Sequence, residues 1–311
     1  MKTNISLILI LCLLLGACKN GNASSQSKNE TSQDTIKAIK MPAIPQMMTA
    51  PEQRADFLAK HYWDNVNFAD TNYIHHPEVT EQAWADYCDL LNHVPLETAQ
   101  QAMRNVIDRT NVDKKVFTYI TDLADKYLYD PNSPMRNEEF YIPVLEAMIA
   151  SPVLNETEKI RPQARLKLAQ KNRIGTKALN FTYTLASGAQ GSLYQLKAEY
   201  LLLFINNPGC QACTETIEGL KNAPVINQLL QEKKLVLLSI YPDEELDEWK
   251  KHLSEFPNEW INGYDKKFTI KEEQVYDLKA IPTLYLLDKD KTVLLKDATA
   301  PAIEAYLMQH Q

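Results

Sequence analysis

The chain has 311 residues, more than one small domain usually takes, so two domains are expected. Hydrophobic residues make up 45% and charged residues 23%, an ordinary globular balance. The formal net charge of −7 lacks the basic footprint of a nucleic-acid binder, so no nucleic-acid partner is expected.

In chain order, Lys2 gives a short positive start and Ile5 to Leu15 forms an apolar run. This is the layout of a secretory signal peptide. The run is too short for a spanning helix, which takes about 20 apolar residues. Leu15-Gly16-Ala17-Cys18 resembles the bacterial lipobox. The resemblance implies a signal peptide over 1–17 and a lipid on Cys18, tethering the protein to a membrane without a spanning helix. An ordinary cleaved signal that happens to contain Cys18 is the alternative. Residues 18–50 are polar and then dotted with proline, as in Met41-Pro42-Ala43-Ile44-Pro45. Such a stretch has too little apolar surface to fold and is expected as a disordered linker. Lys19-Asn20-Gly21-Asn22 holds no acidic cluster that would point to surface export. The expected location is therefore the cell envelope, lipid-anchored and facing the periplasm.

Residues 51–171 are expected to form a helical domain. Pro51 opens a first helix, with Phe57, Leu58 and Tyr62 on one face. Thr80 to Leu91 repeats the pattern with Ala83, Trp84, Tyr87 and Cys88. Thr98 to Arg109, Lys115 to Leu128 and Phe140 to Ile149 are further helices. Tyr129-Asp130-Pro131-Asn132-Ser133-Pro134 breaks the series. Beta-branched alternation is scarce here, so a small bundle fits best.

Residues 172–311 change character. Asn180 to Leu185 alternates like a strand, and 187–192 reads as a turn. Tyr200 to Ile205 and Leu235 to Ile240 are continuous apolar runs, as strands buried on both faces require. A helix is expected from Cys210, and another from Glu244 to Phe256. Thr283 to Leu287 and Thr292 to Leu295 flank Asp288-Lys289-Asp290-Lys291, a hairpin signal, and Pro301 to Met308 closes the chain as a helix. The order describes an α/β sandwich.

Five cysteines are present. Cys12 leaves with the signal and Cys18 takes lipid, so Cys88, Cys210 and Cys213 remain. Three are too few for a disulfide framework but suffice for one Cys-x-x-Cys pair and one bystander. Cys88 shares a helix face with Trp84 and Leu91 and reads as a core thiol. Cys210-Gln211-Ala212-Cys213 follows a buried strand and the short loop 206–209, so Cys210 sits where a helix begins. The partial positive charge there favours a thiolate, the nucleophile of disulfide exchange. Cys213 lies nearly one helical turn on, close enough to resolve a mixed disulfide and expected to be the more buried thiol.

Downstream, Ala280-Ile281-Pro282-Thr283 leads directly into a strand. Strand, helix with Cys-x-x-Cys, then Ile-Pro-Thr before a strand resembles the thioredoxin superfamily, most closely its exported TlpA/ResA-type branch. The resemblance covers 172–311. It implies an α/β thioredoxin-like fold, a central sheet flanked by helices, with a separate N-terminal all-α domain. It also implies that Pro282 is cis and faces Cys210 and Cys213, while Ile281 and Thr283 line the substrate side. Ile281 before the proline resembles reducing thioredoxins, which implies disulfide reduction, with a membrane redox donor to restore the pair. The expected partners are disulfide-containing exported proteins; no cofactor is expected. Tyr127 to Glu138 resembles an uncharacterised domain found ahead of thioredoxin folds in Gram-negative lipoproteins.

This sequence departs from the thioredoxin pattern at three places. Gly209 stands where thioredoxin has Trp, Gln211-Ala212 lacks a proline, and Phe204 replaces a buried carboxylate. Glu215 or Glu218 is the expected substitute for that acid. Taken alone, the cysteine pair also fits a structural disulfide in a non-catalytic interaction module, or half a zinc site. Zinc needs two more ligands, and in the same domain His252 and His310 have no paired spacing, so no metal is expected.

Overall fold

A computed structural model describes residues 38–310. The expected signal peptide over 1–17 and the lipidation residue Cys18 lie outside the described residues, as does the linker up to residue 37.

The N-terminal region consists of α1 (Pro51–His61), α2 (Pro77–Leu91), α3 (Leu96–Arg109), α4 (Lys114–Ala124), α5 (Glu138–Ala150) and α6 (Glu156–Ala169). Prolines at the first turn start α1 and α2. The Asp113 carboxylate accepts from the Lys115 and Val116 amides and starts α4. Asn155 and Glu158 form a reciprocal capping box at the start of α6. Helix α5 buries Phe140, Tyr141, Ile142, Val144, Leu145 and Ala147. A helix apolar nearly all round belongs at the centre of a bundle. Cys88 is 1% exposed in the same core, and burial pushes its thiol well up. The helix expected to run on to Leu128 changes pitch, and Asp125–Tyr129 forms a π turn.

Two expectations are corrected here. Residues 38–50, the last part of the expected disordered linker, follow the bundle. Ile39 packs against the core, and Asn65 donates to the Lys40 carbonyl at 2.9 Å. Helix α6 was absent from the expected helices because Pro162 and Ala169 are its only buried residues, so it has no apolar stripe to read.

The C-terminal region begins with a hairpin, β1 (Thr182–Leu185) and β2 (Gln190–Ser192). Next come β3 (Tyr200–Ile205), α7 (Gln211–Lys221), α8 (Pro224–Gln231), β4 (Leu235–Tyr241), α9 (Leu246–His252) and β5 (Ile261–Tyr264). The chain ends with α10 (Thr269–Glu272), β6 (Thr283–Asp288), β7 (Val293–Lys296) and α11 (Ala300–Gln309). The sheet order is β2-β1-β5-β4-β3-β6-β7. Strand β3 runs parallel to β4 and antiparallel to β6.

Alternation along β3 divides the core. Leu202 and Phe204 pack with residues of α7, α8 and α11 on one face. Leu201, Leu203 and Ile205 pack with Tyr276 and Tyr285 on the other. Burial on both faces explains the unbroken apolar run. The helix expected from Glu244 begins at Leu246. The parallel pair β3 and β4 sends two loops, 206–210 and 242–245, to one edge of the sheet, where the reactive residues lie.

Candidate functional site

Strand β3 delivers the loop Asn206-Asn207-Pro208-Gly209 to the start of α7. Gly209 has φ +71°, a left-handed turn that glycine adopts without steric cost. That conformation explains why a small residue stands before Cys210.

Cys210 is the N-cap of α7, and the Cys213 amide donates to its sulfur at 3.3 Å. The Cys210 thiol is partly exposed and donates to the Ile281 carbonyl at 3.7 Å. The Ile281–Pro282 peptide is cis. Thr283 is buried, pairs with Ile205 in the sheet, and donates its hydroxyl to the Ala280 carbonyl at 2.6 Å. Residues 71 positions apart in sequence are thus brought into contact because β3 and β6 are neighbours.

Cys213 is 2% exposed, and both thiols are free. Burial above all, then the hydrogen bond with Cys210, pushes the Cys213 thiol up to about 12, while the Asn207 backbone amide acts in the opposite sense. The Asn207 side chain is itself anchored. Its amide donates to Asp243 at 2.7 Å, and Lys271 donates to the same carboxylate at 2.8 Å. Burial raises the Asp243 carboxyl, but Lys271 and Asn207 outweigh it and hold it below its ordinary value.

The expected replacement acids are not at the pair. Glu215 is exposed and accepts from Gln211, and Glu218 is exposed and accepts from Lys221. Helical spacing turns both outward, away from the buried face that carries Cys213 and Ile217. Phe204 is fully buried against Trp260, with ring centroids 6.3 Å apart. The group that reaches Cys213 is the Asn207 backbone amide, supported by Asp243 on the neighbouring loop. Strand order alone brings the loops at 207 and 243 together, so nothing in the sequence signals this link.

The helical region meets the C-terminal region close to Pro282. Lys279 Nζ lies 3.0 Å from Glu138, 3.2 Å from Asp277 and 3.4 Å from Asp297. Its side chain is 8% exposed. Burial opposes the lysine charge, but Asp297, Glu138 and Asp277 together raise its affinity for the proton. Lys296 also pairs with Glu138, and Arg173 with Glu139. Arg136 donates to the Asp297 carbonyl at 2.6 Å. Glu138 and Glu139 are the first residues of α5, where the helix dipole favours acids. One helix start therefore grips the segment that leads into Ile281 and Pro282.

Residues 17–172 match a family model described as a domain of unknown function, DUF5106. Residues 198–293 match one described as thioredoxin-like. A solved thioredoxin-like protein from Bacteroides caccae is 83% identical and aligns with a TM-score of 0.87, covering 89% of this chain and 100% of its own. The C-terminal domain of an uncharacterized protein from Bacteroides fragilis is 70% identical, covers 44% of this chain and 98% of its own, and has a TM-score of 0.44. No curated protein matches the sequence.

Proposed function

The chain belongs to the thioredoxin-like family, and on that premise we propose that it exchanges thiols and disulfides through Cys210 and Cys213, as a reductase of exported disulfide-bonded proteins. The observation that carries the reading is the placement of the Cys210 sulfur. It caps α7, meets the Cys213 amide and touches the Ile281 carbonyl beside Pro282. A partly exposed thiol at a helix start, backed by a buried second thiol, is suited to nucleophilic exchange.

Cys210 thiolate attacks one substrate sulfur, the substrate S–S bond breaks, and one substrate thiolate leaves. Cys213 thiolate then attacks Cys210, forming the Cys210–Cys213 disulfide and releasing the second substrate thiolate. Two electrons and two protons pass to the substrate, and a dithiol donor on the membrane side restores the pair. Cys213 is held as a thiol partly by its bond to Cys210. Once Cys210 is joined to substrate, that share of the elevation is removed, and the Asn207 amide favours the thiolate. Burial, the larger cause, stays, so the relief is partial.

The hairpin β1–β2 ahead of β3 supports assignment to the exported TlpA/ResA-type branch. Lipid on Cys18 and a periplasm-facing location in the cell envelope complete the proposal, on the strength of the Leu15-to-Cys18 sequence. The test is reduction of insulin by dithiothreitol with the full chain as catalyst. Wild type should accelerate precipitation and Cys210→Ser should not. Equal rates would refute exchange at Cys210 and leave a non-catalytic interaction module in its place.

A further inference from the structure

The described residues form clefts of about 390 Å³ on the helical domain, about 220 Å³ at the Glu138 cluster, about 550 Å³ beside the redox pair and about 390 Å³ at Asp243 and Lys271. The third is continuous with the chemistry. Its floor contains Ala212, Gly219, Ala280 and Pro282 from the redox region. Its opposite wall is Pro131, Asn132 and Arg136, which belong to the helical domain.

We infer that the loop Pro131–Arg136 is the specificity element of the redox site, and that the cleft seats the polypeptide segment beside the substrate's reacting cysteine. This rests on the thiol–disulfide reading above. The occupant follows from the covalent step. A substrate sulfur bonded to Cys210 lies two residues from Ala212 and next to the Ile281 carbonyl, so its flanking chain enters where the cleft begins. The floor is small and apolar, which suits an apolar side chain next to the cysteine. The rim carries Glu215, held by Gln211, and Arg136. Among the described residues Arg136 has no carboxylate within salt-bridge distance, and it donates to the Asp297 carbonyl. Arg136 lines the cleft, and its remaining N–H groups suit a backbone carbonyl of the incoming segment.

The wall is built to stay in place. The Asp130 carboxylate accepts from the Asn132 backbone and side chain at 2.8 and 3.2 Å. Ser133 donates to the Tyr127 carbonyl at 2.6 Å. The Glu138 and Lys279 cluster fixes the far end of the loop to the segment entering Pro282. The loop that interrupted the helices in the sequence thus has a place in the fold and a use at the site.

The test compares two disulfide probes: a ten-residue cyclic peptide with Leu beside each cysteine, and 5,5′-dithiobis(2-nitrobenzoate), which has no flanking chain to lie along the wall. The readout is the ratio of the two single-turnover reduction rates by the full chain, its Cys210 and Cys213 reduced beforehand with dithiothreitol and the excess removed. Asn132→Trp, which fills the cleft from an exposed loop position, should lower the peptide-to-small-disulfide ratio roughly tenfold, the scale on which a pocket discriminates by a methylene or two. Asn132→Ala, which shortens the wall, should keep the ratio at or above the wild-type value. A ratio within about twofold of wild type in Asn132→Trp, or an equal fall in Asn132→Ala, would overturn the role of the loop. A wild-type chain that reduces neither probe faster than Cys210→Ser would instead overturn the redox reading, and the cleft proposal with it.

Discussion

Replacing Lys279 by methionine tests how firmly the helical domain is tied to the redox region. Methionine keeps the length of the apolar stem and deletes the charge. Glu138 then keeps its pair with Lys296, while Asp277 and Asp297 lose their lysine partner. Each close pair is worth about 4 kcal/mol gross at 4 Å and an effective dielectric of about 20, against which desolvation of the lysine must be set. Removing one partner of a buried pair typically costs about 3–5 kcal/mol, because the other charges stay buried and unmatched. Lys279 is 8% exposed, so solvent screening reduces this little. At roughly 2–4 °C per kcal/mol for a chain near this size, the melting temperature should fall by roughly 6–20 °C. The sign with pH is set by the raised lysine. Its contribution is complete below the ordinary lysine value of about 10.4 and is lost as pH rises through the higher folded value. The deficit of Lys279→Met should therefore stay constant between about pH 7 and pH 9. Circular dichroism melts of wild type, Lys279→Met, Glu138→Gln and the double variant give the coupling between the two, expected at roughly 0.5–3 kcal/mol. A melt within about 2 °C of wild type would refute the claim that these charges hold the two regions together.

Two further outcomes follow from the cysteines. With Cys213 pushed up to about 12 by burial, its thiolate fraction near pH 8 is roughly one in ten thousand, so brief iodoacetamide treatment read by mass spectrometry should label Cys210 and spare Cys213. Labelling of Cys213 should rise about tenfold per pH unit, and equal labelling of both near pH 8 would contradict the buried assignment. Radiolabelled palmitate fed to expressing bacteria should appear on the wild-type chain and be absent from Cys18→Ala; label retained by that variant would rule out Cys18 as the lipidated residue, and an unlabelled wild type would rule out the anchor.

The parts of the fold that were legible in the sequence are those whose burial leaves a periodic mark. Strand β3 is buried along five of its six residues, and its run from Tyr200 to Ile205 reads directly as a central strand. Cys210 was placed at a helix start because Pro208 and Gly209 separate that run from an amphipathic stretch. Ile281-Pro282-Thr283 was legible through resemblance, since nothing in its composition reveals a partner 71 residues away. Strand β5 was missed because it is short and contains Asn262 and Gly263, and it takes its place from pairing with β4 and β1. Helix α6 has too little buried surface to show a stripe, and capping holds its start.

Contacts between charged residues far apart in sequence leave no such mark, and the two most informative ones here are of that kind. Glu138 and Lys279 are 141 residues apart, and Asn207 and Asp243 are 36 apart. The first joins a helix start to the chain two residues before Ile281; the second joins the loop before Cys210 to the loop after β4. Both sides of the reactive pair are therefore held by groups outside the Cys-x-x-Cys helix. With Phe204 in place of an acid, the Asn207 backbone amide is what favours the Cys213 thiolate, and the Asn207 side chain is tied to Asp243, which Lys271 also holds. The cis-proline segment in turn depends on the helical domain through Glu138. The redox fold supplies the two sulfurs, and the residues that set their surroundings come from loops and from a second domain.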